Sequence, residues 1–479
     1  MTNEYFPDCT RFYIDGQWSP AEGASRSDII NPATEESIGQ VALGEQADVD
    51  LAVASARKAF SSYSSWSVKD RLELLQVIDA RLEEHNDELA TIITKEMGAP
   101  TGLSRDEQAP SGSYHFKATI KALADFSFEE PCGTTMLRHE PIGVCALITP
   151  WNWPVNQIAT KVAPALAAGC TMILKPSELA PGNAALIAKI LHESGVPAGV
   201  FNLVHGDGPG VGSALSAHGD VDMVSFTGST RAGIQVSRQA ADTIKRVSLE
   251  LGGKSAAIIV DDADLNRAIR RCVQGVMINS GQSCNATSRL LVPRLLVNDV
   301  AKLAVATAEA MAPAVAESKP AIGPIANKTQ YERVIGLIDT AIREGATLVT
   351  GGVDKPDGLD RGYYVKPTIF RDVTPDMTIA REEIFGPVVT IMAYDHIDEA
   401  VEIANDTAYG LSGAVWSADR NRAYEIATRL RTGMVHLNGA SLDSQAPFGG
   451  YKMSGNGREW GRYGLEEFLE VKSIYGACA

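Results

Sequence analysis

Four short apolar runs, residues 144–148, 171–175, 201–204 and 223–226, set the frame for this chain, each separated from the next by a stretch of helix length. Runs with so little polar alternation suit strands buried on both faces, and helix-length connections let consecutive strands lie parallel. A second series repeats the pattern at 256–260, 289–292, 347–349 and 388–391. The spacing predicts two α/β lobes, the second starting near Gly252, with no tandem repeat or low-complexity linker between them. Lobes joined this tightly abut along a cleft. Nucleotides bind at the carboxyl ends of parallel strands in such folds.

The chain before these lobes is of a different kind. Residues 12–14 and 37–41 read as short strands broken by Asp15-Gly16 and Asn31-Pro32, a hairpin-like lead-in. From Ala47 to Met97 the apolar spacing becomes helical: Val49, Val53, Ala56 and Phe60 share one face, and Leu72, Leu75, Ile78 and Leu82 another. A further helix is expected over 111–125, followed by a strand-like alternation at 133–141 with no chemistry of its own that suits a crossing to a partner chain.

The length of 479 residues exceeds one ordinary core and fits two or three domains. With 43 basic and 59 acidic residues the net charge is −16, and no basic run interrupts it. That balance argues against nucleic acid or an anionic membrane as the main partner. The seven cysteines are odd in number and form no C-x-x-C, so neither a disulfide framework nor a metal site is expected. A reducing cytoplasm fits. Residues 1–8 lack a basic segment followed by an apolar core, and nowhere do 18 apolar residues run together. Signal peptide and membrane span are therefore not expected.

The chemistry centres on Cys284 within 278–286, a thiol among small and amide residues, with Ser280 and Gly281 allowing a sharp turn that opens the sulfur and the Cys284 N–H to a ligand. An inert buried thiol is the ordinary alternative. Glu250 lies between two leucines, where burial as an anion is costly unless it faces a polar cleft; a carboxylate so placed has a raised pKa and makes a good general base. A strand-end glutamate paired with a lysine is the plainer reading. Asn152, in the loop after the first strand, is able to aim an amide N–H at an oxyanion or simply to bond its own backbone. Lys175 and Glu178 end the second strand and suit a ribose, where the carboxylate would repel a 2′-phosphate. Residues 226–233 close the fourth strand and open a helix, whose first N–H groups suit a pyrophosphate. The glycine-rich 206–212 does not match G-x-G-x-x-G at any start and is read mainly as a turn.

Taken together, 150–154, 175–178, 226–233, 250–254, 281–284, 382–387 and 447–455 occur in the order found in the NAD(P)-dependent aldehyde dehydrogenase superfamily. The chain resembles its bacterial, non-acylating members over nearly the whole length. The resemblance implies an α/β fold with a Rossmann-like NAD-binding domain (1–122 and 142–251), a second α/β catalytic domain (252–455), and a small β oligomerisation arm with the C-terminal tail (123–141 and 456–479). It implies Cys284 as nucleophile, Glu250 as the base for thioester hydrolysis, Asn152 with the Cys284 N–H as oxyanion hole, and Lys161 with Glu459 as a proton relay. Cofactor positions carried over are Ile148, Trp151, Lys175, Glu178, Gly208, Gly228, Ser229, Leu251, Glu383 and Phe385, with Glu383 on the nicotinamide ribose. Glu178 points to NAD rather than NADP. No metal is implied, and a homodimer or homotetramer is.

The expected reaction is oxidation of a small-molecule aldehyde to the acid through a thiohemiacetal and a thioester on Cys284, because an aldehyde cannot lose hydride directly without leaving an acylium ion. Trp153 and Trp460, with Ser283, Asn285 and residues 442–444, are candidates for the substrate wall. The sequence around the thiol resembles that of members acting on bulky, aromatic, terpenoid or long-chain aldehydes. Two other classes remain: a thiol hydrolase or acyltransferase without redox chemistry, and a non-catalytic structural protein on the same fold.

Overall fold

The computed structural model describes residues 6–21, 25–311, 313 and 322–478. Residues 1–5, within the N-terminal stretch read above for a signal peptide, and 22–24, 312, 314–321 and 479, within the expected domain ranges, lie outside the described residues.

The first lobe rests on a seven-stranded sheet in the order Arg246–Glu250, Met223–Thr227, Val144–Ile148, Thr171–Lys175, Phe201–Leu203, Arg11–Ile14, Gln17–Pro20. The first five are parallel, as their apolar composition predicted, and Val144–Ile148 and Thr171–Lys175 are buried along their whole length. The chain winds outward from Val144–Ile148 in one direction, then returns to lay Met223–Thr227 on its other side. That reversal opens a crevice beyond Ile148 and Thr227, where ligands bind in open α/β sheets. The strand Arg246–Glu250 was not read from the sequence, since its first half is polar and only half-buried. It matters, because it delivers Glu250 to this same end of the sheet.

The lead-in differs from the single hairpin expected. Arg11–Ile14 pairs with Gln17–Pro20 and joins the first sheet, whereas the 37–41 segment lies in Glu36–Leu43, paired with Ser25–Asn31 in a separate two-stranded sheet. The helical stretch resolves into Gln46–Tyr63, Val68–Glu84 and Asn86–Met97, followed by Ser111–Asp125. Ser67 caps the second by accepting the Asp70 N–H, and Gly98, at φ 78°, ends the third.

The second lobe has its own seven-stranded sheet, in the order Thr347–Thr350, Thr368–Arg371, Val388–Tyr394, Arg289–Pro293, Ala256–Ile259, Gly413–Trp416, His436–Leu437. All neighbours are parallel except the first pair, so the strand expected at 347–349 is an antiparallel edge. A third, antiparallel sheet joins Glu129–Cys132, Thr135–Pro141 and Leu469–Tyr475, bringing the strand-like 133–141 segment against the C-terminal tail. Among the described residues no helix is long and apolar enough to cross a membrane.

Candidate active site

The segment carrying Cys284 follows the helix Leu265–Met277, whose first turn is capped by the Asp264 carboxylate. The chain then turns through three left-handed residues: Asn279 (φ 53°), Ser280 (φ 57°) and Gly281 (φ 75°). A Cβ on Gly281 would lie 1.9 Å from the Gly386 carbonyl oxygen, so only glycine lets this loop rest on the 386–387 backbone. Asn279 and Ser280 each hold a conformation that costs about 1–2 kcal/mol for a side-chain-bearing residue. Their surroundings over-determine it. Asn279 Nδ2 donates to the carbonyls of Asn152 (2.9 Å) and Gln282 (3.2 Å), its Oδ1 accepts from Gln108 Nε2 (2.9 Å), and Ser280 Oγ donates to Gly323 O (2.8 Å). The fully buried Gln282 closes the loop, donating to Asn279 O (3.0 Å) and accepting from Ala326 N (2.9 Å).

This framework leaves the Cys284 side chain half-buried, with its own N–H turned toward the sulfur. Burial pushes the thiol well above its usual range, and the carboxyls of Glu383, Glu250 and Glu459 push the same way. The protein alone therefore does not activate the thiol by lowering its pKa. Its proton must go to a base. Asn152 is buried beside it and donates Nδ2 to Gln282 O at 3.0 Å, which fixes the amide plane and leaves its second N–H free of that bond. Trp153 Nε1 donates to Ser283 Oγ at 2.9 Å, holding an indole next to the thiol-bearing loop.

Glu250 is 3 % exposed, and neither carboxylate oxygen has a hydrogen-bond partner. The lysine-paired reading is thus replaced by an isolated carboxyl. Its pKa is raised well above the ordinary value, first by burial and then by Glu459. The space around it is kept by glycines: a Cβ on Gly449 would come within 2.8 Å of Glu250 Oε1, and one on Gly457 within 3.3 Å. Lys161 and Glu459, 298 residues apart, meet at 2.6 Å (Nζ to Oε1), and Lys161 Nζ also donates to Ser225 Oγ at 2.9 Å. Both are buried, so they form an ion pair next to the raised carboxyl of Glu250.

A cleft of about 450 Å³ runs outward from Cys284 between the lobes. Of the residues expected at the site it is lined by Trp151, Asn152, Gly228, Ser229, Leu251, Cys284, Glu383 and Phe385. Gln157, Thr227, Gln330, Arg333 and Tyr409 also line it and were not anticipated. Buried Gln157 Oε1 and Thr227 Oγ1 have no partner, which marks them as groups able to bind a ligand there. Ser229 caps the helix Thr230–Ala240, accepting from Ala232 N, so that helix opens toward the cleft with unpaired N–H groups. On the facing lobe, Gly253 N donates to Glu383 Oε1 at 2.9 Å, and burial lifts the Glu383 carboxyl to about 7. Gln330 Nε2 donates to the carbonyls of Ile384 and Phe385, and Arg333 to that of Glu383, clamping this segment while Phe385, left-handed at φ 58°, sets its ring edge-on to Trp151.

Ile148, Lys161, Lys175, Glu178, Gly208, Glu250 and Glu459 lie outside the lining of this cleft. Ile148 and Lys175 are register partners at neighbouring strand ends, and Lys175 Nζ meets Glu178 Oε2 at 3.3 Å. Burial lowers the Lys175 pKa, and the Glu178 carboxylate opposes that. Gly208 begins a π-helical turn, Gly208–Gly212, capped by Asp207; the glycine-rich segment is a turn with open space at Gly208. Among the described residues no group of three or more His, Cys, Asp or Glu is placed to hold a metal.

A doubly wound lobe facing a second α/β lobe, with a nucleotide-type cleft holding a thiol and an amide and with an unpaired buried carboxyl acting on that thiol, has the architecture of a dinucleotide-dependent enzyme working through a cysteine. Residues 18–474 match the aldehyde dehydrogenase family, and the chain belongs to it. A 3-succinoylsemialdehyde-pyridine dehydrogenase of a Pseudomonas species is 57 % identical over 476 residues, covering 98 % of this chain and 99 % of the relative. Among solved structures, a cysteine-to-alanine mutant of aldehyde dehydrogenase C from Pseudomonas syringae, in complex with NAD+ and octanal, superposes with a TM-score of 0.98 at 48 % identity, covering 100 % of this chain and 99 % of that one. An aldehyde dehydrogenase from Bartonella henselae gives 0.96 at 47 %, covering 98 % and 99 %.

Proposed function

We propose that this chain oxidises an aldehyde to its carboxylic acid with NAD, through a covalent intermediate on Cys284. The observation that carries the reading is a reachable thiol and an oriented amide together in the cleft, with a buried carboxyl, both oxygens unpaired, close enough for its charge to act on that thiol. The residues fit a dinucleotide: a capped helix N-terminus for the pyrophosphate, the Lys175–Glu178 pair for one ribose, Glu383 for the other, and the unpaired Gln157 and Thr227 oxygens near the inner end. When bound, the nicotinamide supplies the hydride acceptor. The NAD+ held by the Pseudomonas syringae and Bacillus cereus relatives supports the same reading.

In this mechanism Cys284 loses its proton to Glu250, and its sulfur bonds to the carbonyl carbon. The second Asn152 amide N–H and the Cys284 N–H bind the resulting alkoxide; one such donor contributes roughly 3–4 kcal/mol. Departure of hydride from that carbon leaves a thioester on Cys284. Glu250 passes the thiol proton toward the Glu459–Lys161 pair and is a carboxylate again. It then takes a proton from water, the hydroxide adds to the thioester, and the thiolate leaves as the acid forms. The charged groups acting on Cys284 are carboxylates with no histidine among them, which leaves a Cys-His hydrolase without its base.

The candidates for the substrate wall are Trp153, bonded to Ser283 beside Cys284, and Trp460, whose ring packs 4.7 Å from Phe448 and 5.1 Å from His115. Burial holds the His115 imidazole neutral, lowered to about 3, and it bonds Asn156 at 2.8 Å. An uncharged aromatic wall favours bulky, aromatic, terpenoid or long-chain aldehydes; octanal in one relative and a pyridine-bearing semialdehyde in the name of another agree with that. The exposed edge of Leu469–Tyr475, with Tyr475 84 % and Val471 59 % exposed, supports assembly into a homodimer or homotetramer through the 123–141 and 456–479 segments. Seven free cysteines agree with a cytoplasmic setting. The test is NADH absorbance with NAD or NADP and a panel of aliphatic, aromatic, terpenoid and semialdehyde substrates. Turnover with NAD is expected, and tight NAD binding without turnover on any aldehyde would refute the reading.

A further inference from the structure

Sharing Tyr409 with the cleft lies a second and much smaller cavity with space for about one atom-sized group. Three polar side chains that line it have no hydrogen-bond partner: Lys254 Nζ, Ser255 Oγ and Ser412 Oγ. They are 1 %, 4 % and 1 % exposed. A buried polar group left unpaired is uncommon, and an unpaired ammonium is the most costly kind. Three converging on one void define a built site rather than a packing fault.

The chemistry of the lining is one-sided. Lys254 and both serines present donors, and Arg289, 2 % exposed, adds a guanidinium whose Nε, Nη1 and Nη2 already bind the carbonyls of Lys254, Ile403 and Ala404. No carboxylate lines the cavity among the described residues. Of the nearby acids, Glu383 accepts from Gly253 N and acts on Lys254 from outside the lining, and Asp406 pairs with Arg381 at 3.0 Å and acts on Arg289. The rim carries more positive charge, with Lys452 Nζ on the carbonyls of Asn405 and Thr407 and Arg431 acting on Lys452. In a chain of net charge −16 this is a local concentration of cations around a donor-lined hole.

We propose that this cavity is a binding site for a small monovalent inorganic anion of halide size, held by Lys254 Nζ, Ser255 Oγ and Ser412 Oγ. Burial and Arg289 lower the pKa of the ammonium to about 7, against the opposing charges of Glu383 and Glu382, which lie outside the cavity lining. An anion reverses that pressure and satisfies all three donors together. It also ties two segments behind the catalytic centre, because Gly253, next to Lys254, packs against the Cys284 carbonyl and against Leu411, next to Ser412; a Cβ there would lie 2.5 Å and 3.3 Å from them.

Bromide serves as the probe. Crystals of the full chain in sodium bromide should show an anomalous peak in contact with Lys254 Nζ, and the wild-type melting midpoint should be a few degrees higher in chloride than in gluconate at equal ionic strength. Lys254→Met should remove both effects. Should that variant not fold, Ser412→Val, which fills the cavity and removes one donor, should abolish the peak and at least halve the chloride shift. Water in the cavity at saturating bromide, or a midpoint indifferent to chloride in the wild type, overturns the proposal.

Discussion

Replacing Glu250 by glutamine separates the two halves of the reaction and tests the electrostatics in one variant. The carboxyl is 3 % exposed, has no hydrogen-bond partner on either oxygen, and sits beside the Glu459 charge. Its folded pKa is therefore raised above the ordinary 4.5. For an acid shifted upward, the folded state binds more protons than the unfolded state between the two pKa values, so stability falls as pH rises through that window. Glutamine keeps the shape and removes the charge. At low pH the two proteins should melt together; above the window the variant should be more stable by about 1–3 kcal/mol, the cost of leaving a buried group uncompensated. That corresponds to roughly 2–4 °C per kcal/mol for a lobe of this size. In catalysis the variant should still form the thioester when a base in solution takes the thiol proton. Deacylation should slow by about 10²–10⁴, the usual contribution of general base catalysis. Stopped-flow measurement in alkaline buffer should then show a burst of close to one NADH per subunit followed by a near stall. Steady-state turnover at the wild-type rate, or a melting midpoint below wild type at alkaline pH, would refute the assignment and the electrostatic reasoning respectively.

Other outcomes follow from the same geometry. Cys284→Ala should retain NAD binding by calorimetry and lose aldehyde oxidation. Because burial and three carboxyls hold the Cys284 thiol above its usual range, its alkylation by iodoacetamide in the absence of cofactor should rise about tenfold per pH unit across the neutral to alkaline range, with no plateau near neutrality. Glu459→Gln leaves Lys161 as an unpaired buried cation and should lose about 3–5 kcal/mol in denaturant melts, while the double variant Lys161→Met/Glu459→Gln should recover much of that stability without recovering turnover. Glu178→Ser removes a carboxylate from the Lys175 end of the site and should improve the kcat/KM ratio for NADP over NAD by roughly tenfold, less than a fully buried charge would give because Glu178 is about a third exposed.

The parallel strands at 144–148 and 171–175 were legible because burial on both faces leaves an unbroken apolar run. Arg246–Glu250 was hidden for the opposite reason: as the edge of the first sheet it is only half-covered at its start, so its pattern mixes charge with leucine. Thr368–Arg371 follows a stretch rich in glycine, proline and aspartate with no helix before it, and so falls outside a strand–helix rhythm. At the site, Cys284, Glu250 and Asn152 stood out because each is a reactive or polar type in an apolar or glycine-bearing setting. Gln108 gave no such signal, since its partner Asn279 is 171 residues away and its own segment reads as an ordinary polar turn.

What the structure adds to the proposed mechanism is the pair of pKa shifts that bear on its proton transfers. Read from sequence, a cysteine beside small residues calls for either a lowered pKa or a base, and the two are not distinguished. The folded site answers by raising both groups: the thiol is pushed up by burial and carboxyls, and Glu250 by burial and Glu459. A raised thiol is a poorer acid and a raised carboxyl a better base, so the upward shift of Glu250 works against the cost that the raised thiol adds to the transfer. The same carboxyl, once protonated, no longer repels the thiolate it has helped to form. In the proposed mechanism, losing that proton toward Glu459 and Lys161 restores the base before water is activated, and the buried ion pair, like Glu250, lies outside the cleft lining. On this argument, Glu459→Gln, followed on its residual turnover at a temperature where it stays folded, should lower the apparent pKa of the kcat profile, since Glu250 loses the neighbouring charge that raises it and keeps Lys161, which lowers it. An unchanged or higher apparent pKa would show that the pair does not communicate with Glu250.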